Sequence, residues 1–168
     1  MWGAFIEVRD MLFVTVGSQK FPFDRLIKKV DQMLREGLIQ EEVFIQTGAS
    51  GYVPSCPHQA FCEGARFKEL LESCDILITH GGAGTMVDAA KQGKKIVAVP
   101  RLARYGEHVD DHQLELTEQL HKMNLIYACL NAEDLPEVLR AVRDQSPARF
   151  PSNTEAFIRV LDGDIRAL

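Results

Sequence analysis

The feature that most limits the fold of this chain is a set of short apolar runs without in-out alternation: Met11 to Val16, Val43 to Gln46, Ile76 to Thr79, Ile96 to Val99 and Ile126 to Cys129. A strand with one wet face alternates apolar and polar side chains, so runs of this kind belong to strands buried on both faces. Between them, apolar residues recur at helical spacing. Leu26, Ile27, Val30, Met33 and Leu34 predict a helix closed by Gly37, and Phe67, Leu70 and Leu71 a short one ending near Ser73. Thr85 to Gln92 reads as a third, ended by Gly93. Leu116, Leu120 and Met123 mark a fourth, and Leu135, Val138, Leu139 and Val142 a fifth. Gly48 to Pro57 is rich in glycine, serine and proline and reads as a long irregular loop. Strands alternating with helices imply an α/β fold: a single Rossmann-like domain with a parallel sheet covered on both faces. In such sheets ligands bind beyond the carboxyl ends of the strands, which here carry Gly17-Ser18, His80-Gly81-Gly82 and Pro100-Arg101.

A chain of 168 residues suits one domain and is short for two. The expected division is an extension over 1–10, the Rossmann-like domain over 11–145 and a tail over 146–168. Hydrophobic residues at 46% and charged residues at 26% exclude a disordered chain. The net charge of -5 gives no general attraction to nucleic acid or anionic lipid, so no nucleic-acid partner is expected. Cys56, Cys62, Cys74 and Cys129 are scattered and read as reduced thiols of a cytoplasmic protein. Cys56, His58 and Cys62 lack the paired spacing of metal ligands and read as loop residues, so no metal and no cofactor is expected. The opening Met1 to Asp10 is interrupted by Glu7 and Arg9 and fits neither a signal peptide nor a membrane span.

The stretch with chemistry in it is Thr79-His80-Gly81-Gly82-Ala83-Gly84-Thr85-Met86-Val87-Asp88, between a strand and a helix. Glycines at 81, 82 and 84 remove side chains, so backbone N–H groups at the helix N-terminus can approach a diphosphate, with the helix dipole assisting. His80 at the strand end and the Thr85 hydroxyl can each donate a hydrogen bond to phosphate oxygens. Asp88, three residues after Thr85 on the same helix face, can accept the hydroxyl protons of a ribose. Each residue also has a plainer reading. Thr85 and Asp88 resemble a capping box that only satisfies a helix end, His80 alone is more often structural, and glycine-rich turns serve ordinary packing too.

The ordered combination resembles the donor-binding signature of GT-B glycosyltransferases, and Met11 to Val142 resembles their C-terminal domain in glycosyltransferase family 28. Gly93-Lys94-Lys95-Ile96-Val97-Ala98-Val99-Pro100 resembles the glycine, strand and proline that follow the signature helix, and Glu107 to Glu118, with Asp111-His112-Gln113, the later donor-sugar motif. The likeness is strongest to short single-domain members that work as halves, on dolichol-linked sugar in eukaryotes and in polysaccharide synthesis in bacteria. It implies that His80 and the backbone of Gly81, Gly82, Ala83 and Gly84 contact the diphosphate of a UDP-sugar. Thr85 supports that diphosphate, Asp88 holds the ribose, Asp111 and Gln113 face the sugar, and Gly17 and Ser18 line the diphosphate side of the cleft. Many relatives carry glutamate where this chain has Asp88, a side chain shorter by one methylene. Asp111 and Gln113 also read as an N-cap and an ordinary first-turn residue.

Transfer from such a donor needs the leaving diphosphate stabilised and the acceptor hydroxyl deprotonated. Helix N–H groups, His80 and Thr85 meet the first need without a metal. Arg101, Arg104 and His108 make the following loop locally basic, either to neutralise the diphosphate or as solvated charges. The adjacent Asp110 and Asp111 do not need to converge. By resemblance the reaction inverts the anomeric carbon. The general base is not identified in this chain, and the resemblance implies a membrane-anchored, acceptor-binding partner subunit that presents a lipid-linked acceptor and draws the chain to the cytoplasmic membrane face. Two other readings use the same cradle: a non-catalytic nucleotide-sugar-binding regulatory subunit, and an epimerase.

Overall fold

Every residue of the first strand but its leading Met11 is sealed from water on both sides, and this dictates a three-layer arrangement. In the computed structural model, which describes residues 10–144 together with Glu155 and Arg159, β1 (Met11–Thr15) lies near the middle of a six-stranded parallel sheet. The other strands are β2 (Glu42–Gln46), β3 (His58–Gln59), β4 (Ile76–Thr79), β5 (Lys95–Ala98) and β6 (Tyr127–Ala128), in the order β3-β2-β1-β4-β5-β6. The helices are α1 (Asp24–Arg35), α2 (Gly64–Ser73), α3 (Ala83–Lys91), α4 (His112–Lys122) and α5 (Leu135–Arg143). The expected extension over 1–10 and tail over 146–168 lie almost wholly outside the described residues.

Alternate strand residues feed two separate cores. Leu12, Val14, Ile45, Ile78 and Val97 meet Leu26, Ile27 and Val30 of α1 and Leu139 and Val142 of α5 on one face. Phe13, Leu77, Ile96 and Ala98 meet Leu70 and Leu71 of α2, Met86 and Ala89 of α3, and Leu116 and Leu120 of α4 on the other. A fully buried Leu or Phe contributes about 1.5–3 kcal/mol, so a strand buried on both faces is held far more firmly than its length suggests. The parallel, doubly covered sheet is the one that the uniformly apolar runs predict.

Two details differ from the sequence expectation. A short edge strand, β3, follows the 48–57 loop; its two residues are polar and exposed, and main-chain bonding alone makes it, with Ile45 N–H donating to the Pro57 carbonyl at 3.1 Å and Thr47 N–H to the Gln59 carbonyl at 2.9 Å. And α3 begins at Ala83, two residues before Thr85, with Gly82 as its N-cap.

The strand order reverses between β1 and β4. Chain leaves β1 toward β2 on one side and leaves β4 toward β5 on the other, so the loops at their carboxyl ends diverge and leave a crevice there. Gly17-Ser18 follows β1 and His80-Gly81-Gly82 follows β4, so the two glycine turns expected to act together do flank the switch point.

Candidate functional site

His80 lies at the switch point, just beyond the carboxyl end of β4. Its residue exposure is only 6%. A Cβ built on Gly17 would lie 2.7 Å from its Cε1 and Nε2, and one built on Gly82 would lie 2.6 Å from the same atoms. The ring is therefore sandwiched between two bare α-carbons, one from each loop. Burial, assisted by the nearby Arg101 charge and opposed by a hydrogen bond with the Thr15 backbone, brings the imidazole pKa down to about 3. His80 is therefore neutral at physiological pH, and any hydrogen bond it gives is that of a neutral imidazole, not of a cation.

The four small residues of the turn have different reasons to be there. Gly81 holds a left-handed φ of 88°, and a Cβ on it would approach Thr117 Oγ1 of α4 to 3.1 Å. Gly82 makes room for His80. Ala83 is half-buried and packs against the core on the α3 side. A Cβ on Gly84, by contrast, would meet nothing within 4 Å. Internal packing thus accounts for Gly81 and Gly82, and Gly84 alone leaves bare backbone facing open space.

The start of α3 rules out the capping-box reading of Thr85 and Asp88. The N-cap is Gly82, in extended conformation at φ -71°, ψ 127°, and no side chain caps the helix. Thr85 lies within the first turn and is half-buried, while Asp88 is exposed one turn further on. The early amides of this nine-residue helix have no side-chain acceptor, which is the arrangement that binds anions.

Asp111 and Gln113 lie at the start of α4, across from α3, and both grip the loop after β5. Asp111 Oδ1 accepts from Ala103 N–H at 2.9 Å, and Gln113 Oε1 accepts from Arg101 N–H at 3.2 Å. Asp111 occupies the N-cap position without capping. Neighbouring Asp110 turns elsewhere, taking His112 N–H at 3.0 Å and lying 3.1 Å from His108 Nδ1.

Arg101 is not the solvated loop charge of the plainer reading, because its exposure is 0%. Its Nη1 donates to the carbonyls of Phe21 at 2.9 Å and Glu107 at 3.1 Å, its Nη2 donates to the Val16 carbonyl, and the guanidinium packs on the Phe23 ring. Burial draws its pKa down to about 10, so it stays protonated at neutral pH. Arg104 is exposed and stacks on Tyr105, and half-buried His108 lies beside Phe21.

Sequence reasoning missed Asp31 altogether. This α1 carboxylate, 2% exposed, accepts from Ser55 N–H at 2.9 Å and from the hydroxyls of Ser55 and Tyr52, and it pairs with Arg35 at 2.7 Å. Burial works to raise its pKa, but the hydrogen bonds from Ser55, Tyr52 and Arg35 prevail and hold the carboxyl far below the usual range. It ties the loop after β2 to α1. Its position four residues after Ile27, on the apolar stripe, was the available signal.

A parallel sheet in this order, with a glycine turn feeding an uncapped helix at the switch point, defines the class: a Rossmann-like α/β domain. The glycosyltransferase family 28 C-terminal domain matches residues 11–162, and this chain belongs to that family. It is 30% identical over 127 residues to the mouse (Mus musculus) UDP-N-acetylglucosamine transferase subunit ALG13, with 70% of this chain and 10% of that protein covered. Against the human (Homo sapiens) protein of the same name it is 31% identical over 128 residues, with 70% and 11% covered. The chain spans about a tenth of the length of these relatives. Among solved structures, the kitacinnamycin glycotransferase superposes with a TM-score of 0.66 at 18% identity, over 99% of this chain and 43% of that one. A solution structure of ALG13 superposes with a TM-score of 0.55 at 16% identity, over 82% and 87%. These likenesses show the fold, which is that of the C-terminal half of a GT-B glycosyltransferase.

Proposed function

We propose that this chain is the donor-binding half of a UDP-sugar-dependent, inverting, metal-independent hexosyltransferase, completed by a membrane-anchored partner that presents a lipid-linked acceptor at the cytoplasmic membrane face. The observation that carries the reading is the uncapped start of α3 at the β1/β4 switch point, with Gly84 facing open space. In this reading the amides of Ala83, Gly84 and Thr85 receive the diphosphate, and the Thr85 hydroxyl donates to it. Gly17 and Ser18 line its far side. His80, with Gly81 and Gly82, keeps the floor flat and uncharged. Asp88 accepts the ribose hydroxyls. Asp111 and Gln113 hold the loop with one atom each and have further polar atoms to offer a sugar.

The acceptor hydroxyl attacks the anomeric carbon, the bond from that carbon to the diphosphate oxygen breaks, and UDP departs with the electron pair. Helix amides and dipole stabilise the departing charge, the role that this chain fills. The acceptor's proton goes to a base, which the proposal assigns to the partner. Among the described residues no helix is long and apolar enough to cross a membrane, and the proposal gives the anchor to the partner as well. The name of the ALG13 relatives makes UDP-N-acetylglucosamine the first donor to try.

The test is thermal unfolding of the isolated chain with uridine, UMP, UDP and a panel of UDP-sugars. Stabilisation that rises from uridine to UDP, reaching roughly 5 °C or more at saturating UDP, is the expected result. No stabilisation by any of them would overturn the reading. Transfer to a lipid-linked acceptor is expected only with the partner from the native host; full turnover by the chain alone would reject the two-part scheme.

A further inference from the structure

We propose that Arg101 is a positioning residue for the donor site: with Arg25 it forms a reciprocal clasp that sets the spacing between the loop after β1 and the loop after β5. The inference rests on the donor-site reading above. β1 and β5 are not neighbours, since β4 lies between them, so no ladder of main-chain bonds fixes the distance between their loops. Two arginines do. Arg101, at the end of β5, reaches over to the carbonyls of Val16 and Phe21 in the β1 loop. Arg25, at the start of α1 just after the β1 loop, reaches the opposite way, to the Pro100 carbonyl at 3.1 Å and to the Glu107 carboxylate at 3.0 and 3.1 Å. Glu107 closes the circuit: its carboxylate also accepts Leu102 N–H at 3.1 Å, and its carbonyl accepts from Arg101.

The clasp spans the end of β4, where His80 lies between Gly17 and Gly82. It also reaches the sugar side, because the Arg101 peptide N–H is the group held by Gln113, and the Ala103 N–H two residues on is held by Asp111. Arg101 and the backbone beside it thus link the chain on either side of Gly17-Ser18, at Val16 and Phe21, to Gln113 and Asp111. A buried guanidinium is a costly way to fill a core, and this one leaves its Nε without a hydrogen-bond partner. An apolar side chain of similar volume would stabilise the fold at least as well, but it would not hold carbonyls of both loops in a planar fork.

The test compares the intact chain with Arg101→Lys, Arg25→Gln and, as a control on α2, Lys68→Gln, at a temperature where each is fully folded by circular dichroism. Affinities for UDP and for uridine are measured by calorimetry, and the Gly17 and Ser18 amide signals of the ligand-free proteins by NMR. Lysine keeps the charge but loses the fork. Arg101→Lys is expected to shift both amide signals and to weaken UDP binding about tenfold while uridine binding stays within about twofold, because only the diphosphate spans the crevice. Arg25→Gln should act in the same direction, by about threefold, and decides the question if Arg101→Lys fails to fold. UDP affinity retained in both variants, or uridine lost in proportion to UDP, would reduce the clasp to a fold contact and overturn the inference. Shifted Gly17 and Ser18 signals in a chain whose wild type binds no UDP would instead overturn the donor-site reading, and the positioning role with it.

Discussion

The imidazole of His80 occupies the volume that a side chain on Gly17 would need, at 2.7 Å from the position of its missing Cβ. Gly17 also holds a left-handed φ of 75°. Gly17→Ala therefore strains the backbone and pushes the buried ring, and is expected to destabilise the fold by about 1–3 kcal/mol in urea unfolding. Gly51→Ala, where a Cβ meets nothing within 4 Å and φ is not left-handed, should change stability by less than about 0.5 kcal/mol.

The same ring predicts how stability depends on pH. In the unfolded chain His80 titrates near 6.5, and in the fold its pKa lies at about 3. Between those values the unfolded state binds a proton that the native state refuses. The contribution of His80 is thus fully present above pH 6.5 and is lost as pH falls toward 3, with a slope near 1.4 kcal/mol per unit. In His80→Gln that part of the slope should vanish from a urea-midpoint series taken across the window. An unaltered slope would show that the ring is not buried neutral.

What could be read from the chain and what could not divide along physical lines. Strands whose apolar runs pack on both faces, such as Leu12 to Val14, announce themselves because burial is written in side chains. His58–Gln59 pairs through backbone alone and left no pattern to find. The glycine turn was legible between its strand and its helix, yet the packing of its separate glycines was not, because that Gly81 faces Thr117 while Gly84 faces open space depends on where α4 packs. The burial of Arg101 was hidden for a similar reason. Its acceptors are backbone carbonyls at Val16 and Phe21, which every residue type carries, so nothing in the sequence marks them.

Asp31 holds the loop after β2 through Ser55 and Tyr52. Asp31→Asn keeps the shape but removes the charge from several hydrogen bonds, and should cost about 1.5–3 kcal/mol at pH 7. Because the folded carboxyl titrates well below its unfolded value, this stability is present above roughly pH 4 and is lost as pH falls further. The gap between wild type and variant in chemical unfolding should therefore narrow below pH 4. A constant gap down to pH 2.5 would contradict the assignment.

Asp88 is exposed on α3, one turn beyond Thr85. If it holds the ribose, Asp88→Ala should weaken UDP about 10- to 100-fold and leave inorganic pyrophosphate unaffected, as competition calorimetry would show. Equal losses for both ligands would place the carboxylate elsewhere.

The most direct measurement concerns Gly84, whose bare backbone has no internal reason to be bare. With open space around it and a place inside a helix, Gly84→Ala should leave the ligand-free protein as stable as wild type or more so, by up to about 1 kcal/mol. If the first turn of α3 is where the diphosphate sits, the added methyl stands in its way, and calorimetric titration should show UDP affinity falling about tenfold or more. A variant that is equally stable and binds UDP as tightly as wild type would contradict the account.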